Sequence, residues 1–450
     1  MSRLKGSILV KKLSVIIIGA GDRGTSYSKL MAKMPDHYQV VGVADPVATR
    51  RKSVQERHGI ADSGCFVDWK DILNQPKMAD VAVIASMDDQ HYETALRAID
   101  LGYHLLLEKP VAPTAQACVD IAKAAEKKGV SVLVCHVLRY TPFFKKVKQL
   151  LLEGAIGNVM SMIQVEAVGN LHQSHSFVRG NWHSSKETAP MLLAKSCHDI
   201  DMIQWLMNKP CKRVQSFGDL TYFCPANAPE GAPVRCADGT CPVKDTCEYN
   251  CIKLYYDNKE SLWFRGAATR GMTAGEIPTD DEVMEALKTR DYGLCVFHAN
   301  NDVVDHQVVN LEFEGGANVS FTMNCFNEGG RYIRIFGTKG ELYANAGDEE
   351  ITVFSFADRQ KKTVSVPKIE ESILGGHGGG DAGIICELYE YLSGNYTGYC
   401  AADITTSVNN HMIVFAAEKA RHEGSVVSID EFMSQYGISN QYPNNAGGTK

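Results

Sequence analysis

Two lysines and a histidine in this sequence are suited to moving a proton at a hydroxyl group. Lys109 stands where an apolar run ends, and Lys195 precedes His198 by three positions. A helix predicted over 190–205 would place Lys195 and His198 on neighbouring positions. Histidine accepts protons near neutral pH, and a lysine ammonium stabilises a developing alkoxide. These residue types and this spacing make Lys109, Lys195 and His198 candidate catalytic residues, with a surface lysine and a structural histidine as the alternatives.

The amino-terminal part of the chain carries a dinucleotide-binding signature. An apolar run over 13–18 leads directly into a loop that contains Gly19, Gly21 and Gly24, and a helix is predicted over 25–34. The first glycine permits a tight turn, the second lets a pyrophosphate approach the backbone, and the third lets helix pack on strand. The helix amides then point at the phosphates. The pattern favours a phosphate-bearing cofactor.

An acidic residue indicates which dinucleotide this would be. Asp45 ends the second apolar run, about 20 positions after the glycine loop. At this position a carboxylate binds the ribose hydroxyls and repels a 2′-phosphate, which favours NAD over NADP. Arg50 and Arg51 lie one helical turn further on and leave NADP as the alternative.

Alternating strand and helix patterns predict how the first 140 residues position this loop. Strands are predicted over 13–18, 38–44, 81–85, 103–107 and 130–135, and helices over 25–34, 47–58, 92–100 and 115–128. Strands that alternate with helices form a doubly wound parallel sheet, with ligands at the carboxyl ends of the strands. Lys109 and Asp45 both lie at such ends.

The pattern changes after residue 140 to one typical of a largely antiparallel open sheet. Strands are predicted over 159–169, 307–313, 318–326, 331–336, 341–344, 351–356 and 362–366, and helices over 142–153, 190–205, 383–393 and 404–422. The predicted class is α/β, with a dinucleotide-binding Rossmann domain over 1–140 and a second α/β domain over 141–435, for which the family resemblance given below implies substrate binding and oligomerisation. A cysteine-rich insert is expected over about 224–251, and a flexible tail over 436–450.

Composition excludes several classes of protein. The formal net charge of -7 provides no basic field for nucleic acid. No apolar segment approaches the roughly 18 residues of a membrane helix, and the first residues do not resemble a secretion signal. Fourteen cysteines without such a signal suggest reduced thiols. We expect a cytoplasmic protein with neither a nucleic-acid nor a membrane partner.

Several features taken together resemble one enzyme family. They are the glycine loop, Asp45, the segment 84–91, Glu108-Lys109-Pro110, Arg139 with Tyr140, and the helix of His198. Over about residues 12–425 the chain resembles the Gfo/Idh/MocA oxidoreductases, the group of glucose-fructose oxidoreductase and inositol dehydrogenase. The resemblance implies NAD-dependent oxidation of a secondary ring hydroxyl of a sugar, glycoside or cyclitol to a ketone. It also implies a homodimer or homotetramer formed through the carboxy-terminal sheet.

The resemblance and the predicted strand ends also suggest binding residues. Those for the cofactor are Gly19, Gly21, Asp22, Arg23, Gly24, Asp45, Ser86, Asp89, His91, Glu108, Lys109 and Arg139. Those for the substrate are Tyr140, Arg179, Asn181, Trp182, Asp199 and His377. The chain departs from the family pattern at Ala194, where many members carry an aspartate four residues before the histidine. Because that aspartate is absent, the family pattern supports His198 as the proton acceptor less securely than it supports the role of Lys109.

Four cysteines in the insert lie within a short span. Cys236, Cys241, Cys247 and Cys251 could bind a structural zinc ion or an iron–sulfur cluster. C-x2-C pairs are absent from this span, which leaves two disulfides or free thiols as alternatives. If only three thiols bind a metal, Cys251 is the first to be omitted.

Two other functions use the same residues. In an NAD-dependent glycoside hydrolase, a resident NAD would oxidise the sugar transiently, and elimination and re-reduction would follow. In a non-catalytic sensor, NAD would bind without turnover. The presence of both Lys109 and His198 disfavours the sensor, but the sequence does not separate the hydrolase from the dehydrogenase.

Overall fold

The fold is described by a computed structural model that covers residues 12–273, 277–368, 377–440 and 442. A six-stranded sheet forms first, in the order β3-β2-β1-β4-β5-β6, and its pairings are parallel. Its strands are β1 (Leu13–Ile18), β2 (Tyr38–Ala44), β3 (Cys65–Phe66), β4 (Val81–Ile84), β5 (His104–Leu107) and β6 (Val132–Val134). The strand order reverses beside β1, which confirms the predicted doubly wound sheet.

Five helices accompany this sheet. They are α1 (Asp22–Ala32), α2 (Ala48–His58), α3 (Trp69–Leu73), α4 (His91–Asp100) and α5 (Ala115–Lys128). Local signals set their ends: α5 starts where the Thr114 side chain accepts a hydrogen bond from the Ala117 amide, and it stops at Gly129 in the left-handed region. The central strands are almost wholly buried, as expected for parallel strands covered on both faces.

The second sheet has nine strands in the order β14-β13-β12-β11-β7-β10-β9-β8-β15. β7 pairs with β10 in parallel, and the other pairings are antiparallel. The strands are β7 (Val159–Ala167), β8 (Cys211–Asp219), β9 (His306–Phe313), β10 (Asn318–Asn324), β11 (Gly330–Gly337), β12 (Gly340–Asn345), β13 (Glu350–Ser355), β14 (Lys361–Ser365) and β15 (Val427–Ser428). The predicted, largely antiparallel sheet is therefore confirmed.

Helices cover one face of the second sheet. The helices after residue 141 are α6 (Pro142–Leu152), α7 (Asn170–His172), α8 (Met191–Ala194), α9 (Cys197–Met207), α10 (Leu262–Ala268), α11 (Asp280–Thr289), α12 (Gly380–Leu392), α13 (Ile404–Glu423) and α14 (Ile429–Ser434). On the opposite face Ile163, Phe217 and Tyr332 are 44%, 57% and 48% exposed. That face is open in the single chain.

The carboxy-terminal helices return to the first sheet. The Tyr38 hydroxyl donates a hydrogen bond to the Ile385 carbonyl of α12 at 2.7 Å. The Val134 amide donates to the Ala402 carbonyl, just before α13, at 2.9 Å. The Tyr38 contact lies at the amino edge of the parallel sheet and the Val134 contact at its carboxyl edge, so the second half of the chain is held to both edges.

The structure differs from the predicted elements in several places, including one helix near the cavity and one strand of the second sheet. The helix predicted over 190–205 is divided into α8 and α9, because Ser196 leaves the helical region with φ -94° and ψ 8°. Strand β8 was missed, because a bulge between Cys211 and Arg213 breaks the alternation of buried and exposed residues. The predicted tail from 436 lies partly outside the described residues. Within those residues, no helix is both long and apolar enough to cross a membrane.

Candidate active site

A cavity of about 570 Å³ opens at the carboxyl edge of the parallel sheet. The residues that follow β1, β2, β4 and β5 line one wall: Gly19, Asp45, Ser86 and Lys109. The opposite wall comes from the second half of the chain, through Phe177, Asn181, Trp182, Ala194, Lys195, His198, Trp263, Arg270, Tyr292 and Arg331. Residues far apart in sequence therefore meet around one space.

The glycine loop leaves room for a ligand at one position. A Cβ atom at Gly19, which has φ +87°, would lie 2.5 Å from the Ala85 carbonyl oxygen, and one at Gly24 would lie 1.9 Å from the Gly19 carbonyl oxygen. At Gly21 the nearest atom to such a Cβ is Arg50 Nη1, at 3.9 Å. The first and third glycines thus permit close backbone packing, while the second faces open space beside the first turn of α1.

Asp45 is fixed by backbone donors at the cavity wall. Its Oδ2 accepts a hydrogen bond from the Ala20 amide at 2.7 Å, and its Oδ1 accepts one from the Val47 amide at 2.8 Å. Each carboxylate oxygen can accept more than one hydrogen bond, so the oxygens can still accept hydroxyl donors. Arg50 also lines the cavity.

An ion pair between Arg23 and Glu108 connects the glycine loop to the end of β5. Arg23 Nε donates to Glu108 Oε1 at 2.8 Å, and its guanidinium pairs with Asp381 of α12 at 2.7 Å. The Tyr27 hydroxyl also donates to Glu108, at 2.6 Å. Burial alone would raise the pKa of Glu108, but Arg23 and Lys109 together hold it below its ordinary value. This carboxylate stays charged and braces the base of the cavity.

Lys109 reaches across the cavity to the other half of the chain. Its Nζ donates a hydrogen bond to the Ala194 carbonyl oxygen at 2.8 Å. Lys195 and His198 line the same end of the cavity, although the predicted single helix is interrupted between them. The three predicted catalytic residues are therefore brought together.

Lys195 belongs to a buried charge cluster with Glu166, Arg331 and Asp199. Of these, Glu166 and Arg331 were missed in the sequence. Its Nζ lies 3.3 Å from Glu166 Oε1, and Arg331 Nε lies 2.6 Å from Glu166 Oε2 and 3.0 Å from Asp199 Oδ1. Burial lowers the pKa of Lys195, although Glu166 opposes this shift. Burial raises the pKa of Asp199 to about 6 against the effect of Arg331. Arg331 and Lys195 present cationic groups to the cavity.

A second histidine lies behind His198. The His136 ring centroid is 6.0 Å from that of His198 and 5.7 Å from that of His411. Neither ring nitrogen of His136 has a hydrogen-bond partner among the described residues, and its Nδ1 lies 3.8 Å from Asp201 Oδ2. Burial lowers the pKa of His136 well below its ordinary value. The ring beneath His198 is therefore neutral.

The cavity wall formed by the second half of the chain is rich in flat rings. His175 lies 4.5 Å from Trp263 and 5.2 Å from Tyr292 between ring centroids, and His172 lies 5.2 Å from Trp263. Trp182 donates from Nε1 to Asp88 at 3.3 Å across the two halves of the chain. His172, His175, Trp263, Arg270 and Tyr292 were missed in the sequence, because no local spacing brings them together.

Most of the predicted binding residues and all three predicted catalytic residues lie at this cavity. The binding residues in its wall are Gly19, Gly21, Asp22, Arg23, Asp45, Ser86, Glu108, Lys109, Asn181 and Trp182, and the catalytic residues are Lys109, Lys195 and His198. The Ser86 Oγ is buried and has no hydrogen-bond partner among the described residues. A polar ligand group beside Ser86 Oγ would supply the hydrogen-bond partner that this buried atom lacks among the described residues.

Other predicted binding residues do not line the cavity, for identifiable reasons. Gly24 packs against the Gly19 carbonyl, and Asp89 is exposed outside the wall. His91 is buried, with Nδ1 2.7 Å from the Pro110 carbonyl oxygen. Arg139 forms a buried ion pair with Asp201 at 2.6 Å.

The remaining substrate predictions are also structural or lie outside the description. Tyr140 is buried against Gly383, where an added Cβ would approach its side chain to 2.7 Å. Arg179 donates to the Leu294 and Tyr249 carbonyls, each at 2.8 Å. Asp199 is buried and accepts a hydrogen bond from Arg331 Nε at 3.0 Å. His377 begins a short turn, but its side chain lies outside the described residues.

The predicted four-cysteine metal site is not present as proposed. Cys251 is buried, and its thiol points toward the Gly293 carbonyl at 4.0 Å. Its backbone amide donates to the Cys236 sulfur at 3.4 Å. Within the described part of the chain, no group of three His, Cys, Asp or Glu side chains stands in the geometry of a metal site.

The parallel sheet carries the glycine loop and Asp45 on one wall of the cavity, and Lys195 and His198 lie on the other wall. This arrangement is that of a dinucleotide-binding oxidoreductase. Comparison with known families agrees with this class. Residues 13–136 match an oxidoreductase-family NAD-binding Rossmann fold, and residues 148–429 match the C-terminal alpha/beta domain of the same family. The chain belongs to the Gfo/Idh/MocA oxidoreductase family, as its sequence motifs had suggested.

Individual relatives are distant. The putative oxidoreductase YteT of Bacillus subtilis is 26% identical over 399 residues, which cover 84% of this chain and 88% of that protein. An inositol 2-dehydrogenase/D-chiro-inositol 3-dehydrogenase of Lactiplantibacillus plantarum is 25% identical over 45% of this chain and 54% of its own length. The alignment thus spans about half of that enzyme. A levoglucosan dehydrogenase in complex with NADH and levoglucosan has a TM-score of 0.67 at 18% identity, covering 93% of this chain and 100% of that one.

Proposed function

We propose that this protein is an NAD-dependent dehydrogenase that oxidises a secondary ring hydroxyl of a sugar, glycoside or cyclitol to a ketone. One observation carries the proposal: a single cavity joins the glycine loop and Asp45 to Lys109, Lys195 and His198. Hydride removal from a carbinol carbon needs a positioned nicotinamide and a base for the hydroxyl proton, and both requirements can be met within this space.

The residues at the sheet edge fit the cofactor. The open space over Gly21 admits a pyrophosphate, the fixed carboxylate of Asp45 suits ribose hydroxyls, and the orphaned Ser86 Oγ offers a further polar contact. The negative charge of Asp45 supports NAD over NADP, although Arg50 also lines the cavity. When bound, the nicotinamide accepts the hydride from the substrate carbon.

The protein's own side chains handle the proton. His198 accepts it from the substrate hydroxyl, while Lys109 donates a hydrogen bond to the same oxygen and stabilises its developing negative charge. The Ala194 carbonyl holds Lys109 at this end of the cavity. Lys195 and Arg331 bind further substrate oxygens, and Glu166 fixes both of these cations in place.

The substrate class rests on the cavity wall and on the relatives. Sugars are recognised by hydrogen bonds to their hydroxyls and by stacking on flat rings, and Trp182 and Trp263 provide such rings beside Asn181. Relatives that are named as inositol dehydrogenases, and the structural neighbour that is named as a levoglucosan dehydrogenase, support a polyhydroxylated ring.

A substrate panel tests the proposal. The purified protein is incubated with NAD and a panel of sugars, glycosides and cyclitols, while NADH absorbance and product masses are recorded together. Stoichiometric NADH with a product two hydrogens lighter supports the dehydrogenase. Glycoside cleavage that requires protein-bound NAD but yields no net NADH would instead support the redox-dependent hydrolase. Firm NAD binding with no turnover across the panel would favour a sensor.

We further propose that the protein is cytoplasmic and that it self-associates. The open sheet face with Ile163, Phe217 and Tyr332 is a candidate surface for a homodimer or homotetramer, since exposed apolar side chains on a broad face favour association. Light scattering after gel filtration gives the mass in solution. A Phe217→Lys variant that leaves a multimer undisturbed would argue against this face.

A further inference from the structure

We propose that Cys236, Cys241, Cys247 and Cys295 form a structural binding site for a single Zn²⁺ ion. The four residues line a second, small cavity of about 20 Å³, remote in sequence from the glycine loop. Cys295 takes the place that the sequence had suggested for Cys251. The inference does not depend on the redox function.

Backbone contacts hold the fourth cysteine against the insert. The Cys295 amide donates a hydrogen bond to the Val234 carbonyl at 2.8 Å, and the neighbouring Arg235 and Leu294 form an isolated antiparallel bridge. Cys236 follows immediately on the other side of this bridge. A residue almost 60 positions away from the first thiol is therefore fixed beside it, as in metal sites assembled from two chain segments.

The size and lining of the cavity favour a single ion. Besides the cysteines, its wall includes Pro229, Pro233, Val243, Val296 and Phe297. A trapped water needs two to four good hydrogen-bonding partners, and thiols are poor ones. A space of this size is too small for an iron–sulfur cluster but can hold one ion with sulfur ligands at about 2.3 Å.

Cys251 has a different role. Its side chain belongs to an apolar cluster with Leu254, Tyr255, Phe264 and Leu287. Its backbone amide donates to the Cys236 sulfur at 3.4 Å, which is the way amides orient a metal-bound thiolate. The four thiols do not stand at ligand distance around one point among the described residues, so binding of the ion requires their side chains to turn into the cavity that they line.

The irregular structure of the insert explains why a bound ion would stabilise it. The described part of the insert over 224–251 contains short 3-10 turns at Pro225–Asn227 and Cys236–Asp238 and little other regular structure. Such a segment cannot bury enough apolar surface by itself, so a metal crosslink contributes much of its stability. The insert packs beside α10, which carries Trp263, and beside α11, which precedes Tyr292. Both of these rings line the large cavity.

Metal analysis of the full-length protein tests the inference. After purification in reducing buffer with Zn²⁺ and removal of excess by gel filtration, mass spectrometry should find about one zinc ion per chain. Cys241→Ser and Cys295→Ser should each lose at least tenfold of that zinc. Cys251→Ser, the matched control, should retain it.

A second measurement protects the test against misfolded variants. Wild-type protein loaded with Co²⁺ should show the intense visible bands of a tetrahedral thiolate site, and chelation should lower its melting temperature. Four results would overturn the inference: less than a tenth of an equivalent of zinc in the wild type, iron in place of zinc, a mass deficit that shows disulfides, or zinc loss in Cys251→Ser equal to that in Cys295→Ser.

Discussion

Lys109 Nζ donates a hydrogen bond at 2.8 Å to the carbonyl oxygen of Ala194, a residue 85 positions away on the opposite wall of the cavity. This acceptor is a neutral backbone dipole, so it does not cancel the positive charge of Lys109. Lys195 and Arg331 also line the cavity, but Glu166 and Asp199 are paired with them. Lys109 is therefore suited to stabilising developing negative charge on a substrate oxygen.

Replacing Lys109 by methionine tests this role directly. Methionine keeps the volume but removes the donor to the reacting oxygen, so turnover should fall by about 10²–10⁴-fold. NAD affinity, measured by fluorescence titration, should change less than about threefold, because the glycine loop and Asp45 are untouched. Lys127→Met, at an exposed position on α5, is the matched control and should leave both quantities unchanged. Full activity in Lys109→Met would remove Lys109 from the mechanism.

The sequence was sufficient where local chemistry determines structure. The bounds of β2 and α5 match their predictions, because a buried apolar run and a capped helix carry their own signals. The glycine loop and the end of β5 were recognised for the same reason, and both line the cavity.

Tertiary contacts account for what the sequence did not reveal. Arg331 reaches Asp199 from 132 positions away, and Arg270 reaches Asp22 from 248 positions away. No spacing rule applies over such distances. Arg139 was predicted to bind the cofactor from its place after a strand, and Arg179 to bind the substrate from its place beside Asn181 and Trp182. The structure gives each arginine buried protein acceptors instead.

Asp45 should control the choice between NAD and NADP. Its carboxylate lies at the cavity wall and would repel a 2′-phosphate, whereas nearby Arg50 would attract one. In Asp45→Asn the ratio of kcat/KM for NADP to that for NAD should rise by at least about tenfold, a change of about 1.4 kcal/mol. Asp36→Asn, at an exposed position before β2, is the control. An unchanged ratio would mean that another group discriminates.

Arg270 connects the second half of the chain to the glycine loop. Its Nη2 lies 2.9 Å from Asp22 Oδ2, and the next residue, Gly271, lies close to Val47, two positions after Asp45. Arg270→Ala should speed NADH release in stopped-flow measurements by up to about fivefold, since partly exposed ion pairs contribute about 0.2–1 kcal/mol. In a double-mutant cycle, Asp22→Asn should add nothing to the effect of Arg270→Ala. Additive effects would show that the pair does not act as one clasp.

Buried His175 should make the protein sensitive to acid. Burial lowers the pKa of His175 from 6.5 to about 3, with Arg179 and Arg270 contributing. Because the unfolded chain binds this proton below about pH 6.5 and the folded chain does not, the stabilisation present above 6.5 is lost as pH falls toward 3. The slope from this group approaches about 1.4 kcal/mol per pH unit.

His175→Gln removes the titrating group and keeps a polar side chain beside the Tyr255 hydroxyl, which lies 3.0 Å from His175 Nδ1. Urea unfolding followed between pH 7 and pH 5 should therefore show a shallower loss of stability in His175→Gln than in the wild type, even where the variant starts out less stable. His422→Gln, at an exposed position on α13, should keep the wild-type slope. Equal slopes in all three proteins would mean that His175 takes up its proton in the folded state as readily as in the unfolded chain, and would place the acid sensitivity elsewhere.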